Sequence, residues 1–222
     1  MGNALIDAIK AKDLAAAQAA LAADGAAARG ASPEGTSAVC LAVYYGRPDI
    51  AEVIATAKGD LDIFEAAVLG RVDRLRDLID ANPAQISAVA GDGFHPLGLA
   101  AYFKQPAAVR LLLDRGADPN QAAANTAKVT ALHAAVSSNQ QEIVAWLLEA
   151  GADVNARQQI DYTPLMGAAA NARTGLMEML LSRGADPSMK TTDGKTAADV
   201  AREHGHADIA ERLERFEAER QG

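Results

Sequence analysis

Apolar residues in this chain fall into two kinds of short cluster that alternate along it. Between Thr163 and Gly184, Leu165, Ala168 and Ala169 form a thin apolar face, and Leu176, Met177, Met179, Leu180 and Leu181 form a thicker set at helical spacing. Thr163 is placed to cap the first helix with its hydroxyl, and Pro164 suits the first helical position, where an N–H would have no partner. Gly184 then supplies the left-handed residue that ends the second helix. The pattern predicts a unit of helix, turn, helix and hairpin-like loop. Neither helix can bury its face alone, so neighbouring units must stack.

The unit recurs. His95-Pro96-Leu97-Gly98-Leu99-Ala100-Ala101, Thr130-Ala131-Leu132-His133-Ala134-Ala135-Val136, Thr163-Pro164-Leu165-Met166-Gly167-Ala168-Ala169 and Thr196-Ala197-Ala198-Asp199-Val200-Ala201 start 35, 33 and 33 positions apart. Glycine turns close three of these units: Gly116-Ala117-Asp118-Pro119-Asn120, Gly151-Ala152-Asp153-Val154-Asn155 and Gly184-Ala185-Asp186-Pro187-Ser188. In this wording and period the chain resembles the ankyrin-repeat family. The resemblance implies an all-α solenoid of helix-turn-helix units whose loops form a row of fingers. A bias toward Ala, Arg, Asp and Leu gives it a bacterial cast.

Toward the N-terminus the wording decays while the apolar skeleton persists. Ser37-Ala38-Val39-Cys40-Leu41-Ala42-Val43 leads to Gly46 and Ile50-Ala51-Glu52-Val53-Ile54, and Leu61-Asp62-Ile63-Phe64-Glu65-Ala66-Ala67 leads through Gly70 to Leu75-Arg76-Asp77-Leu78-Ile79. The second of these starts only 24 positions after Ser37, so a finger is expected to be missing there. Ala57 to Asp60 would form a blunt connection and leave a gap in the row. With Ala4 to Leu21 as a first unit, the chain divides into seven repeats, approximately 1–30, 31–59, 60–91, 92–125, 126–158, 159–191 and 192–222, in a single domain. The finger between Pro119 and Val129 carries the extra residues of the longer spacing, and a longer, mobile tip is expected. Trp146, on a second helix, is expected mainly in the core between repeats. The last helix, from Ala207 to Phe216, has a narrow apolar seam flanked by charges expected to be solvated, as an end cap requires.

Composition narrows the function. Half of the 222 residues are apolar but only 4% are aromatic, so the core is built from small and aliphatic side chains. A net charge of -8 repels phosphate backbones, which argues against nucleic acid as a partner. The single cysteine, Cys40, excludes an intramolecular disulfide and a thiolate zinc site. Lys10, Lys12, Asp13, Gln18 and Asp24 interrupt the alanine-rich beginning, which has neither the length of a membrane span nor the form of a secretory leader. Met1-Gly2 opens like a myristoylation signal, but Ile6 stands where Ser or Thr is needed. A cytoplasmic protein without a membrane anchor is expected, a monomer with a homodimer as the alternative.

Candidate chemistry is sparse. The family resemblance implies structural roles for His133 and His206; His95 takes the usual threonine place, and His204 lies at a helix end. His204-Gly205-His206 has two imidazoles, yet no nearby cysteine or paired carboxylates at ligand spacing. No phosphate loop, nucleophile elbow or zinc-protease signature occurs. The expectation is a chain that is not an enzyme and carries no cofactor or metal; the competing reading is an enzyme or metal-dependent regulator sited near His95 or His204 and His206. Cys40, at an inward position of a degenerate repeat, reads as a small buried hydrophobe.

The resemblance also implies a binding groove formed by the residue before each Thr position and the residues seven and eight after it. The helix columns read Lys10 and Ala11, Tyr44 and Tyr45, Val68 and Leu69, Tyr102 and Phe103, Ser137 and Ser138, Ala170 and Asn171, Glu203 and His204. The finger column reads Thr36, Phe94, Val129, Tyr162 and Lys195. All four tyrosines and two of the four phenylalanines fall in these columns. Rigid rings anchor interfaces at low rotamer cost, so a protein partner is expected on Tyr44, Tyr45, Leu69, Phe94, Tyr102, Phe103, Val129, Tyr162 and Lys195. The row from Tyr44 and Tyr45 through Val68 and Leu69 to Tyr102 and Phe103 is expected to form one apolar strip, held open by the finger gap. Self-association through this strip is the alternative use of the same surface.

Overall fold

A computed structural model describes residues 4–221 of the chain. The Met1-Gly2 feature lies outside the described residues. Among those described there are fourteen α-helices and no β-strand. The helices follow in seven pairs: α1 (Ala4–Lys10) and α2 (Leu14–Ala23), α3 (Ala38–Tyr44) and α4 (Pro48–Lys58), α5 (Ile63–Val68) and α6 (Val72–Ala81), α7 (Pro96–Tyr102) and α8 (Pro106–Asp114), α9 (Ala131–Ser137) and α10 (Gln141–Glu149), α11 (Pro164–Ala170) and α12 (Thr174–Ser182), α13 (Ala197–Glu203) and α14 (Ala207–Gln221).

Three residues separate the helices of every pair, and the middle one always has positive φ. Glycine fills that position at Gly46, Gly70 and Gly205, while Lys12, Lys104, Asn139 and Ala172 adopt the left-handed conformation despite their side chains. The first helices begin on side-chain caps: Ser37, Asp62, Thr163 and Thr196 each accept from a backbone N–H of the first turn. Pro stands at the start of α7 and α11, as the sequence predicts.

Loops of 14 to 16 residues, at 24–37, 82–95, 115–130, 150–163 and 183–196, project as fingers, whereas α4 and α5 are joined by residues 59–62 alone. The finger expected to be missing is therefore missing, with two corrections. Helix α4 runs on through Lys58, so the connection begins at Gly59 and not at Ala57. Asp62, and not Leu61, caps α5, accepting from the N–H groups of Phe64 and Glu65 while the Glu65 carboxylate accepts from the N–H of Asp62. Helix α5 is accordingly six residues long where the other first helices have seven.

Nor does the short connection leave an open gap. The fingers on either side of it close up, and a Cβ added to Gly91 would lie 2.9 Å from the carbonyl of Gly35. Gly91 has no Cβ to obstruct this approach. Elsewhere in the row the fingers are stitched by backbone bonds, from the N–H of Ala124 to the carbonyl of Gly93 (2.8 Å), Gln159 to Ala127 (2.9 Å) and Thr192 to Ile160 (3.0 Å). The long finger thus has its tip tied to both neighbours; Asn125 adds a side-chain bond to the carbonyl of Asp92.

The core divides at the same place. Residues from Leu5 to Leu61 pack in one apolar block and residues from Ile63 to Leu213 in another, with Cys40, Val68 and Leu99 forming a small cluster between them. Beneath the junction the Lys58 ammonium bonds both carboxylate oxygens of Glu65 at 2.8 and 2.7 Å, and Glu65 is fully buried. Trp146 corrects its expected place: it is half-buried at the margin of the larger block, with the Arg110 guanidinium 5.6 Å from its ring centroid. On α14, Ile209, Ala210 and Leu213 are buried as the seam predicts, but its charges are not all free in water. Arg212 pairs with Glu178, and Glu214 pairs with Arg202 at 2.7 Å.

Candidate functional site

The concave side carries a cavity of about 500 Å³ between the first helices α7, α9 and α11 and the finger residues that precede them. Phe94, Val129 and Tyr162 stand immediately before the N-cap residues His95, Thr130 and Thr163, so the repeat period sets them side by side along one wall. Tyr102, the last residue of α7, and Phe103, its C-cap, form the wall toward the N-terminus, with Tyr44 from the end of α3 beyond them. Three of the four tyrosines and two of the four phenylalanines thus line one site.

The rings are ordered by mutual contact. Tyr44 and Phe103 stack with centroids 5.3 Å apart and planes 16° apart, and Tyr102 meets Phe103 edge-on at 5.1 Å. The Tyr44 hydroxyl donates to Oδ2 of Asp92 at 2.6 Å. Burial, then the hydrogen bond to Asp92 and its negative charge, pushes the Tyr44 phenol well above its ordinary pKa, so the hydroxyl keeps its proton. Burial also raises the Tyr162 phenol, whose hydroxyl donates to the carbonyl of Met166 at 3.2 Å.

Both pocket histidines have their two ring nitrogens engaged by neighbouring groups. The Nδ1 of His133 faces the hydroxyl of Thr130 at 2.9 Å, and its Nε2 faces the carbonyl of Tyr162 at 3.1 Å. Burial depresses this imidazole to a pKa of about 4, so it is neutral near pH 7. The ring nitrogens of His95 lie 3.0 Å from the carbonyl of Ala88 and 3.1 Å from that of Ala122, tying one finger to the next. His204 bonds the carbonyl of Val200 through Nδ1. Among the described residues no three His, Cys, Asp or Glu side chains gather as metal ligands would. Cys40 is buried and its thiol is pushed up to about 12, mainly by that burial, so it is no ready nucleophile.

Of the residues expected at the groove, Tyr44, Phe94, Tyr102, Phe103, Val129 and Tyr162 converge on this cavity. Tyr45 and Leu69 are half-buried against the N-terminal apolar block, and Lys195 sits in ion pairs with Asp193 (3.0 Å) and Glu203 (2.7 Å). The expected strip is therefore broken: Val68 is 1% exposed and faces the core. Tyr44 reaches Phe103 directly, because closing the finger row brings the second and fourth units together. Gly98, Gly167, Gln121 and Gln158 also line the cavity and were not singled out from the sequence. Gly98 was the readable signal, since a glycine inside a short helix weakens it unless space is needed there.

Two family models match the chain, both described as ankyrin repeats, one over residues 63–158 and the other over residues 147–201. The chain belongs to the ankyrin-repeat family. Both matched ranges lie C-terminal to residue 62, in keeping with the decay of the ankyrin wording before that point. The chain is similar to human neurogenic locus notch homolog protein 4, at 40% identity over 124 residues, covering 55% of this chain and 6% of that protein. It is similar to rat ankyrin repeat and SAM domain-containing protein 6, at 38% identity, covering 46% of this chain and 11% of the other. The Drosophila melanogaster palmitoyltransferase Hip14 matches at 37% identity over 40% of this chain and 14% of its own length. The ankyrin match thus spans a small part of each relative. Ankyrin repeats are in general protein-interaction modules, and no described helix here is long and apolar enough to cross a membrane.

Proposed function

We propose that this chain is a non-catalytic interaction module that holds a partner protein on its concave side, across the aromatic cavity and the adjoining finger residues. The observation that carries this reading is the gathering of Tyr44, Phe94, Tyr102, Phe103 and Tyr162 on one solvent-facing cavity in a chain whose residues are only 4% aromatic. Tyr102 is 50% exposed, although a ring of that size gains from burial. A net charge of -8 favours a protein over nucleic acid. In this proposal the chain works as a cytoplasmic monomer without a cofactor, and its seven repeats follow the boundaries read from the sequence.

Affinity capture from a cell lysate with mass spectrometry tests the reading, comparing the wild type with a Tyr102→Ala, Val129→Ala variant shown to be folded by its circular dichroism and melting temperature. A protein retained by the wild type and lost by the variant supports the concave cavity as the binding surface. Capture that is unchanged places binding elsewhere. Concentration-dependent dimerisation that the variant abolishes replaces the partner with a second copy of the chain.

A further inference from the structure

We infer that the cavity over Gly98 is a socket for one uncharged aromatic side chain, tryptophan or tyrosine, on a peptide segment of the partner. This rests on the reading of the concave side as a protein-binding surface and adds what that surface selects. Gly98 is the third residue of α7, a position held by His133 in α9, Met166 in α11 and Asp199 in α13. Those three side chains fold back to their own N-cap residues. At Gly98 nothing does, and an added Cβ would meet no atom within 4 Å. The hollow is made by an omitted side chain, at a helical site where glycine is an unfavourable choice for the helix itself.

The chemistry of the walls selects the guest. Among the described residues no Lys, Arg, Asp or Glu lines the cavity, and the nearby Asp92 carboxylate is engaged by the Tyr44 hydroxyl. A carboxylate entering would shed water and meet no counter-charge, and an ammonium or guanidinium would meet ring faces but no lining carboxylate to replace its hydration. Tyr102, Phe103 and Tyr162 offer ring surfaces, against which another ring packs offset or edge-on. Gln121 and Gln158 on the finger side carry uncharged carbonyl groups suited to an indole N–H or a phenol O–H, and an aliphatic guest leaves these unused. A volume of about 500 Å³ takes one large side chain and its flanking backbone.

Titration of the isotope-labelled full chain with N-acetyl-tryptophanamide, followed by amide NMR, tests this directly. The expected result is a saturable shift of the Gly98, Val129 and Gly167 amides, with N-acetyl-leucinamide and N-acetyl-lysinamide weaker by about tenfold or more. Gly98→Leu fills the hollow and is expected to remove the response, as is Tyr102→Ala, which changes only a rim side chain; Tyr45→Ala, outside the cavity, is expected to keep it. The inference is overturned by the absence of a saturable shift at those amides, by an equal response to the leucine or lysine probe, or by a response that survives in both cavity variants. A Gly98→Leu chain that still captures the partner removes the socket while leaving the interaction module in place.

Discussion

The hydroxyl of Tyr44 and the carboxylate of Asp92, 48 residues apart in sequence, meet at 2.6 Å across the place where a finger is missing. Tyr44 belongs to the second helical pair and Asp92 to the finger that precedes the fourth, so the bond spans a whole unit. It fastens the N-terminal two pairs to the remainder on the same side as the aromatic cavity.

Tyr44→Phe keeps the ring stacked on Phe103 and removes only this bond. It is expected to lower stability by about 1 kcal/mol, below the usual value for a bond to a charged acceptor because the site is partly open to water. Tyr44→Ala, which also loses the stack, is expected to cost roughly 1 kcal/mol more. Urea unfolding of both variants checks the order; a Phe variant as unstable as the Ala variant would mean that the stacking contributes nothing.

Beneath the same junction, Glu65 is fully buried and depends on the ammonium of Lys58. Lys58→Met strands the carboxylate and is expected to cost about 3–5 kcal/mol. Pairing it with Glu65→Leu removes the stranded charge, and stability is expected to return in large part even though the Asp62 N–H loses an acceptor. Chemical denaturation of the single and double variants measures the difference, and equal losses in the two chains would refute the dependence of Glu65 on its partner.

Acid should weaken the fold through His133. In the unfolded chain this imidazole takes up a proton near pH 6.5, whereas the buried ring does so only at about 4. The unfolded state therefore binds more protons between those values, and stability falls as pH falls across that window. The accumulated loss is about 3 kcal/mol at its lower edge. His133→Gln is expected to have a flatter stability profile than the wild type over this range, whatever its stability at pH 7. Parallel profiles, from denaturant unfolding at several pH values, would assign the acid sensitivity to other groups.

The helical pairs were legible because each leaves a local record: a cap, a face at helical spacing and a residue that can turn left-handed. The start of α5 was also written locally, as Asp62 and Glu65 three residues apart, but counting the period from Leu61 displaced it by one. Convergence was harder to see. Gly35 and Gly91 touch although 56 positions separate them, and nothing near either residue records the other. The cavity draws its walls from several repeats, and its depth comes from a side chain that α7 does not have. Trp146 was misplaced because an apolar residue on a second helix reads as core, while its cover, Arg110, lies one unit away.

Seven helical pairs carry only five fingers, since one of the six junctions between pairs has none and the flanking fingers have closed over it. The finger edge of the stack is thereby one block shorter than its helical edge, like an arch with a stone removed from its inner rim. Along the finger row the second unit is followed directly by the finger that precedes the fourth, as the contact of Gly35 with Gly91 shows. The third helical pair is thus the one joined to its predecessor by four residues, with no finger on that side.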